Sequence, residues 1–275
     1  MDVAAQRMKQ PHSPPRAWRL VATALCFLVF GVGGLCLRLI VFPLLAVVPG
    51  DALARRRRAR MTISRLFWLF VQFMSRTGVL SYEIQGQERL GQPGQMVIAN
   101  HPSLIDVVVL ISLIRDANCV VKASLWRNPF TRGPIRAAGY ISNSGSMDML
   151  DEAADALQVG ETLIVFPEGT RTTPGQPPCF HRGAAAIALR GARVITPVVI
   201  TVSPSTLTKA EPWYRIPARR FHFCLRVGAD IEPNSFTAGH SLPIASRKLN
   251  DHLHQHFIKE LAREPSAFGN QEPDH

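Results

Sequence analysis

The sequence predicts an α/β fold, a layered mixed sheet flanked by helices, behind an N-terminal membrane-embedded helical segment. Three observations predict it. From Tyr82 onward, short apolar runs of strand character alternate with helical patterns, as in layered α/β domains. Two of those runs, 162–166 and 194–202, are apolar without alternation, as strands covered on both faces require. Residues 20–37 carry no charge; as a helix they span about 27 Å, close to the ~30 Å of a hydrocarbon core.

The N-terminal segment, 1–60, is basic as well as apolar. Its first 19 residues are polar and contain prolines, so loose order is expected there. Ten bases stand against two acids in 1–60, which accounts for +8 of the formal net charge of +11. Bases concentrated beside an apolar run suit anionic lipid headgroups, each worth about 1 kcal/mol near the surface. Nucleic-acid proteins more often spread their bases over a folded face, so membrane lipids rather than nucleic acid are the expected partner. Arg38 and Pro43 interrupt the apolar stretch. Two readings are therefore open within 20–48: a single long helix, or a helical hairpin with both ends on one side. Basic flanks at both ends favour the hairpin, with the following domain facing the cytoplasm, at the inner membrane of a bacterium. A signal peptide cleaved after Ala52-Leu53-Ala54 fits poorly, because bases follow at once.

The domain is expected to cover 61–264, with a tail at 265–275 lacking order. Within 61–80, Ile63, Leu66, Phe67, Phe70, Phe73 and Met74 recur at helical spacing. This helix is read as interfacial, as core-facing, or as both. Strands follow at 96–99, 119–121, 162–166, 194–202 and 221–227. Helices are expected at 103–114, 147–157, 183–190 and 245–263. The five cysteines are odd in number and contain no C-x-x-C, which points to reduced thiols and neither a disulfide framework nor a zinc site.

Two segments carry the chemistry. Asn100-His101-Pro102-Ser103-Leu104-Ile105-Asp106 lies between a strand and a helix, where open α/β sheets bind ligands. Pro102 is expected in the first helical turn, which needs no backbone donor. A neutral imidazole accepts a proton from a hydroxyl, and a carboxylate fixes its tautomer. His101 and Asp106 are five positions apart, so they pair only if His101 stands outside the regular helix. Phe166-Pro167-Glu168-Gly169-Thr170-Arg171 follows a buried strand. Gly169 permits close backbone approach, Arg171 offers a planar fork to phosphate or carboxylate, and Glu168 orients that Arg or meets an acceptor hydroxyl. A surface turn with a local ion pair is the plainer reading of this segment by itself.

Together, H-x-x-x-x-D and F-P-E-G-T-R behind a basic apolar N-terminus resemble the glycerolipid acyltransferase family, which includes the 1-acylglycerol-3-phosphate and lysophospholipid acyltransferases. The resemblance covers roughly 60–205, including 133–141 and 194–200 as further blocks. It implies an acyl-CoA or acyl-carrier-protein donor, a lysolipid acceptor, and no cofactor or metal. It gives His101 the role of base and Asp106 that of its partner. Glu168, Gly169, Thr170 and Arg171 take the acceptor, with backbone N–H groups near the helix start or the Gly169 turn meeting the oxyanion.

The sequence departs from the family at one block. Gly139-Tyr140-Ile141 is followed by Ser142-Asn143-Ser144-Gly145, where the family places an Arg. One charge-assisted contact to an anion, about 1.5–3 kcal/mol, is lost. Lys122 and Arg182 are the candidates to replace it. The alternatives are an acceptor without a phosphomonoester, such as an amino-acid or polyene lipid, and a non-catalytic scaffold of the same fold. His252, His254 and His256 are read as a solvated face of the last helix, Trp126 and Phe130 as core, and Ser144 as no hydrolase nucleophile, since no G-x-S-x-G surrounds it.

Overall fold

The computed structural model describes residues 14–209 and 211–263. The expectations for the first 13 residues and for the tail lie outside the described residues.

The chain opens with α1 (Arg16–Cys36), which runs without a break through a π-helical turn (Leu37–Val41) into α2 (Phe42–Ala46). Of the two readings of 20–48, the chain follows the single long helix, with no turn at Arg38 or Pro43. The chain reverses at 47–51, and α3 (Ala52–Arg76) is the return arm. Asp51 starts α3 by accepting the Ala54 N–H at 2.7 Å, a side-chain cap. Ala52–Ala54 thus opens a helix, and the interfacial helix expected over 61–80 begins nine residues earlier.

The helical run 16–46 is long and apolar enough to cross a membrane by length and composition, with 22% of its most apolar window buried. One face rests on the domain. Phe30 packs on Phe67 and Phe70 of α3. Gly34 lies so close to the Phe130 carbonyl that a Cβ there would come within 2.8 Å of the oxygen. Arg38, the charge that interrupts the apolar run, donates to the Pro129 carbonyl at 3.0 Å. The other face leaves Val21, Leu28, Val32, Leu39 and Leu44 exposed, a contiguous apolar surface of the kind that marks a membrane or partner contact.

The domain is a seven-stranded sheet in the order β1-β7-β6-β2-β5-β3-β4. Its strands are β1 (Leu80–Gln85), β2 (Gln95–Ala99), β3 (Ala117–Lys122), β4 (Ile141–Asn143), β5 (Thr162–Val165), β6 (Val194–Ser203) and β7 (Phe221–Val227). Only β6 and β7 pair antiparallel; all other neighbours are parallel. The sheet is mixed, as expected, and β6, β2, β5, β3 and β4 all point their carboxyl ends the same way.

Alternation along the strands builds two cores. Val97 and Ala99 of β2, with Ile164, Val198 and Ile200, face α3 and α4 (Asp106–Leu113). Met96 and Ile98, with Leu163, Val165 and Ile195, face α6 (Met147–Gln158), α7 (Gly183–Gly191) and α8 (Leu242–Ala262). β2 is buried at every position, which is why its sequence shows no polar alternation. The five expected strands and four expected helices are present. β1, β4 and α5 (Arg132–Ala138) are additional.

α3 is tied to the sheet by charge. Arg60, 2% exposed, pairs with Glu161 at 2.8 Å and donates to the Ala138 carbonyl at 2.8 Å. Arg57 pairs with Asp116 at 2.8 Å. Arg55 and Arg58 hold the carbonyls of the 48–50 turn. Much of the basic run that the sequence assigns to lipid headgroups is thus engaged within the chain. All five cysteines are free, and burial pushes the Cys119 thiol up to about 12.

Candidate active site

Three neighbouring strands converge at the carboxyl edge. β2 leads into Asn100 and His101, β5 into Phe166–Arg171 on one side, and β6 into Thr206–Thr208 on the other. Asn100 fixes the exit of β2 by exchanging two bonds with Ile200 of β6, each 2.8 Å.

His101 Nδ1 lies 2.8 Å from Asp106 Oδ2. The same oxygen accepts the Ser103 N–H at 2.7 Å. That bond closes residues 103–106 into a turn, so α4 begins at Asp106 and not at 103, and Pro102 precedes the helix instead of entering its first turn. The turn places His101 outside the helix, as pairing at this spacing requires. With Nδ1 donating to Asp106, Nε2 carries the lone pair, and it has no partner among the described residues. The Phe166 ring packs against the imidazole, centroids 4.5 Å apart, and holds its plane.

Asp106 is fully buried. Burial pushes its carboxyl up, while His101, the Ser103 N–H and the nearby Arg171 guanidinium pull it back. Its Oδ1 has no hydrogen-bond partner among the described residues. Glu168 is also raised by burial, offset by the Thr172 hydroxyl and the His101 N–H. Glu168 Oε1 accepts from both, at 2.7 and 3.0 Å, and the Thr172 N–H returns to the His101 carbonyl at 2.7 Å. Glu168 thus clamps the two motif segments together and does not hold Arg171.

Arg171 Nη1 donates to the carbonyls of Leu207 and Thr208, both at 2.7 Å. Leu207, at φ 54°, sits in the left-handed region that a branched residue adopts only under constraint. Its carbonyl also accepts the Leu104 N–H at 3.2 Å. Arg171 therefore fixes the β6–β7 loop, which leaves its Nε and Nη2 donors for a ligand.

Gly169 has φ 63°, and a Cβ there would meet Asn143 and His181 only at ordinary contact, 3.6 and 3.8 Å. The turn conformation, not close approach, requires glycine here. The Gly169 N–H bonds the Phe166 carbonyl at 3.0 Å. With Ser103 and Leu104 also engaged, three N–H groups of the helix start and the Gly169 turn are occupied. The N–H groups of Thr170 and Arg171 have no partner among the described residues. The Thr170 side chain is exposed, as is that of Arg182 at the start of α7.

Lys122 ends β3 opposite Asn143 of β4, so the two side chains share one face of the sheet. Asn143 reaches the Gly169 turn. Lys122 thus brings a base near the block that lacks its Arg, while Ser144 and Ser146 bond each other at 2.8 Å and Ser146 caps α6.

The remaining candidates lie elsewhere. The three histidines of α8 do not form one solvated face: His254 bonds the Pro178 carbonyl at 2.8 Å, His252 packs on Phe236, and burial lowers His256. No group of three metal-ligating side chains occurs among the described residues. Residues that sequence reasoning missed are Phe166, Thr172, Ser103 and Thr208. Phe166 opens the motif and Thr172 follows it, and both carried that signal. Thr208, about a hundred residues from His101, carried none.

Fold and sequence are similar to those of acyltransferases. Residues 81–201 match the family model described as Acyltransferase. The chain is 26% identical over 194 residues to a 1-acyl-sn-glycerol-3-phosphate acyltransferase of Helicobacter pylori, covering 68% of this chain and 77% of that one. It is 27% identical over 135 residues to one of Chlamydomonas reinhardtii, covering 46% of this chain and 41% of the relative. Several plant and algal relatives are matched over well under half of their length. The crystal structure of the 1-acyl-sn-glycerophosphate acyltransferase PlsC from Thermotoga maritima shares the fold, with TM-score 0.65 at 19% identity over 90% of this chain and 99% of that one.

Proposed function

We propose that the protein is a membrane-associated O-acyltransferase that moves a fatty acyl group from acyl-CoA or acyl carrier protein onto a 1-acylglycerol-3-phosphate. The observation that carries this reading is the His101–Asp106 pair at the carboxyl edge of β2, its Nε2 unpartnered and the Glu168–Arg171 turn beside it. His101 Nε2 takes the proton of the acceptor hydroxyl as its oxygen attacks the thioester carbonyl. Asp106 holds Nδ1 and stabilises the imidazolium that forms. The N–H groups of Thr170 and Arg171 meet the oxyanion. When the tetrahedral intermediate collapses, the C–S bond breaks, the thiolate leaves, and the proton on His101 returns to it. Arg171, through its remaining donors, and Lys122 meet the acceptor phosphate. The chemistry uses neither metal nor cofactor. The exposed apolar face of 16–46 seats the domain on the membrane, facing the cytoplasm.

The neutral stretch 142–146 favours a second reading, the same chemistry on an acceptor without a phosphomonoester. Purified full-length protein in lipid, given labelled acyl-CoA or acyl carrier protein and a panel of acceptors, tests both. Transfer to lysophosphatidic acid supports the first reading. Transfer only to uncharged or amino-acid acceptors replaces it with the second. Transfer to none, by folded protein, makes the chain a scaffold and defeats both.

A further inference from the structure

A polar cleft of about 420 Å³ opens between the start of α1 and the β6–β7 loop. Arg16 lines one wall, Lys209 and Arg215 the other, and Pro174 enters from the loop after the motif turn. The one acid of the lining, Glu211, closes its own turn by accepting the Thr208 N–H and hydroxyl at 3.0 and 3.1 Å. The side chains of Arg16, Lys209 and Arg215 have no ion pair or hydrogen bond among the described residues. Behind them the buried Arg19 holds the Pro217 and Ala218 carbonyls, which ties the loop to α1 and adds a fourth cation. Unpaired cations around a formed cleft are a site for a multiply charged anion.

The position selects which anion. Thr208 lines the cleft and is also the residue whose carbonyl Arg171 grips. The cleft therefore adjoins the reaction site, but His101, Asp106 and Glu168 are not part of its wall. The phosphate of a lysophosphatidic acid is one carbon from the carbon that bears the reacting hydroxyl, so it must stay within reach of His101. The phosphate of a phosphopantetheine thioester is a whole pantetheine arm away from the carbonyl. We propose that the cleft binds the phosphate end of the phosphopantetheine acyl donor, the group that coenzyme A and acyl carrier protein share. The assignment rests on the acyl-transfer reading above.

The test uses the full chain with Arg16→Gln, Lys209→Gln and Arg215→Gln combined. Binding of free coenzyme A is measured by calorimetry, which needs no turnover. KM is measured for acyl-CoA, for acyl carrier protein, and for an acyl-pantetheine that lacks phosphate. The Kd of coenzyme A and the KM of both phosphate-bearing donors should rise at least about tenfold, the effect of losing one charge-assisted contact. Reaction with acyl-pantetheine, and KM for the acceptor, should stay as in the wild type. An unchanged coenzyme A isotherm overturns the proposal. So does an equal loss with acyl-pantetheine, which would make the cleft a support for the active site. A rise with acyl-CoA alone overturns the shared phosphate in favour of the nucleotide. Loss of flotation on phosphatidylglycerol vesicles with coenzyme A binding intact overturns it in favour of a membrane surface. If the wild type binds coenzyme A, the variant does not, and neither transfers acyl groups, the cleft stands and the acyl-transfer reading falls.

Discussion

The two ends of the same sheet treat buried charge differently. At the amino ends of β3 and β5, Asp116 and Glu161 face Arg57 and Arg60. Opposite signs meet there, and the network joins α3 to the sheet. At the carboxyl ends of β2 and β5, two carboxyls close on His101, Asp106 on its imidazole and Glu168 on its backbone N–H, and burial raises both, as it raises Asp116 at the other end. Buried atoms without a hydrogen-bond partner among the described residues occur at both ends, Asp116 Oδ1 and Arg60 Nη2 at the first and Asp106 Oδ1 at the second, but only the second also leaves an outward ring nitrogen unpartnered among the described residues. The first arrangement holds the helices in place. The second gives up local stability to keep a base oriented, which is the kind of departure from local rules expected at functional sites.

The sharpest way to break this contrast is to remove one group from each end. His101→Ala should lower the transfer rate by about 10²–10⁴-fold, the usual contribution of a positioned base. Vesicle association should not change, because the exposed face of α1 is untouched; steady-state kinetics and flotation check the two together. Arg60→Ala should destabilise the fold by about 3–5 kcal/mol, since it leaves Glu161 without its cation in a buried site. Its remaining folded fraction should keep the wild-type KM. Urea denaturation beside kinetics measures this, and a normal midpoint would show that the amino-end network is not structural.

A smaller effect sharpens the role of Glu168. Glu168→Ala leaves the His101 N–H and the Thr172 hydroxyl without an acceptor, a loss of about 1–3 kcal/mol. Glu168→Gln keeps an acceptor oxygen in place and should hold most of the stability. If the two variants melt alike, the clamp between the motif segments is not what Glu168 supplies.

The same contrast explains what the sequence made legible. The buried strands of the parallel block were readable because both faces are covered, which leaves an unbroken apolar signal at 162–166 and 194–202. β4 has only three residues, too short for any period, and β1 alternates burial at the sheet edge, so both escaped. The His101–Asp106 spacing was legible as chemistry, but the turn that makes it work depends on one side-chain bond to the Ser103 N–H. The choice between one long helix and a hairpin was not legible because Arg38 and Pro43 look like interruptions in an apolar run. In the structure Arg38 finds a carbonyl on the domain and Pro43 enters the first turn of α2, so neither ends the helix. That Arg171 also holds the β6–β7 loop was not legible, because its two carbonyl partners come from more than thirty residues later.

The claim that the carboxyl edge gives up stability for chemistry is tested most directly at Asp106. Its carboxyl is raised in the native state, so it keeps its proton over a range in which the unfolded chain has lost it. Native stability is then fullest below the ordinary aspartate value of about 3.9 and falls as pH climbs through the raised native value. Urea midpoints of the wild type and of Asp106→Asn, taken from about pH 4 to about pH 8 with transfer activity at each point, read both sides of the claim. The prediction is a variant whose midpoint gains on the wild type as pH rises, while its activity stays far below. A variant that loses stability at the alkaline end, or that transfers acyl groups at the wild-type rate, would contradict it.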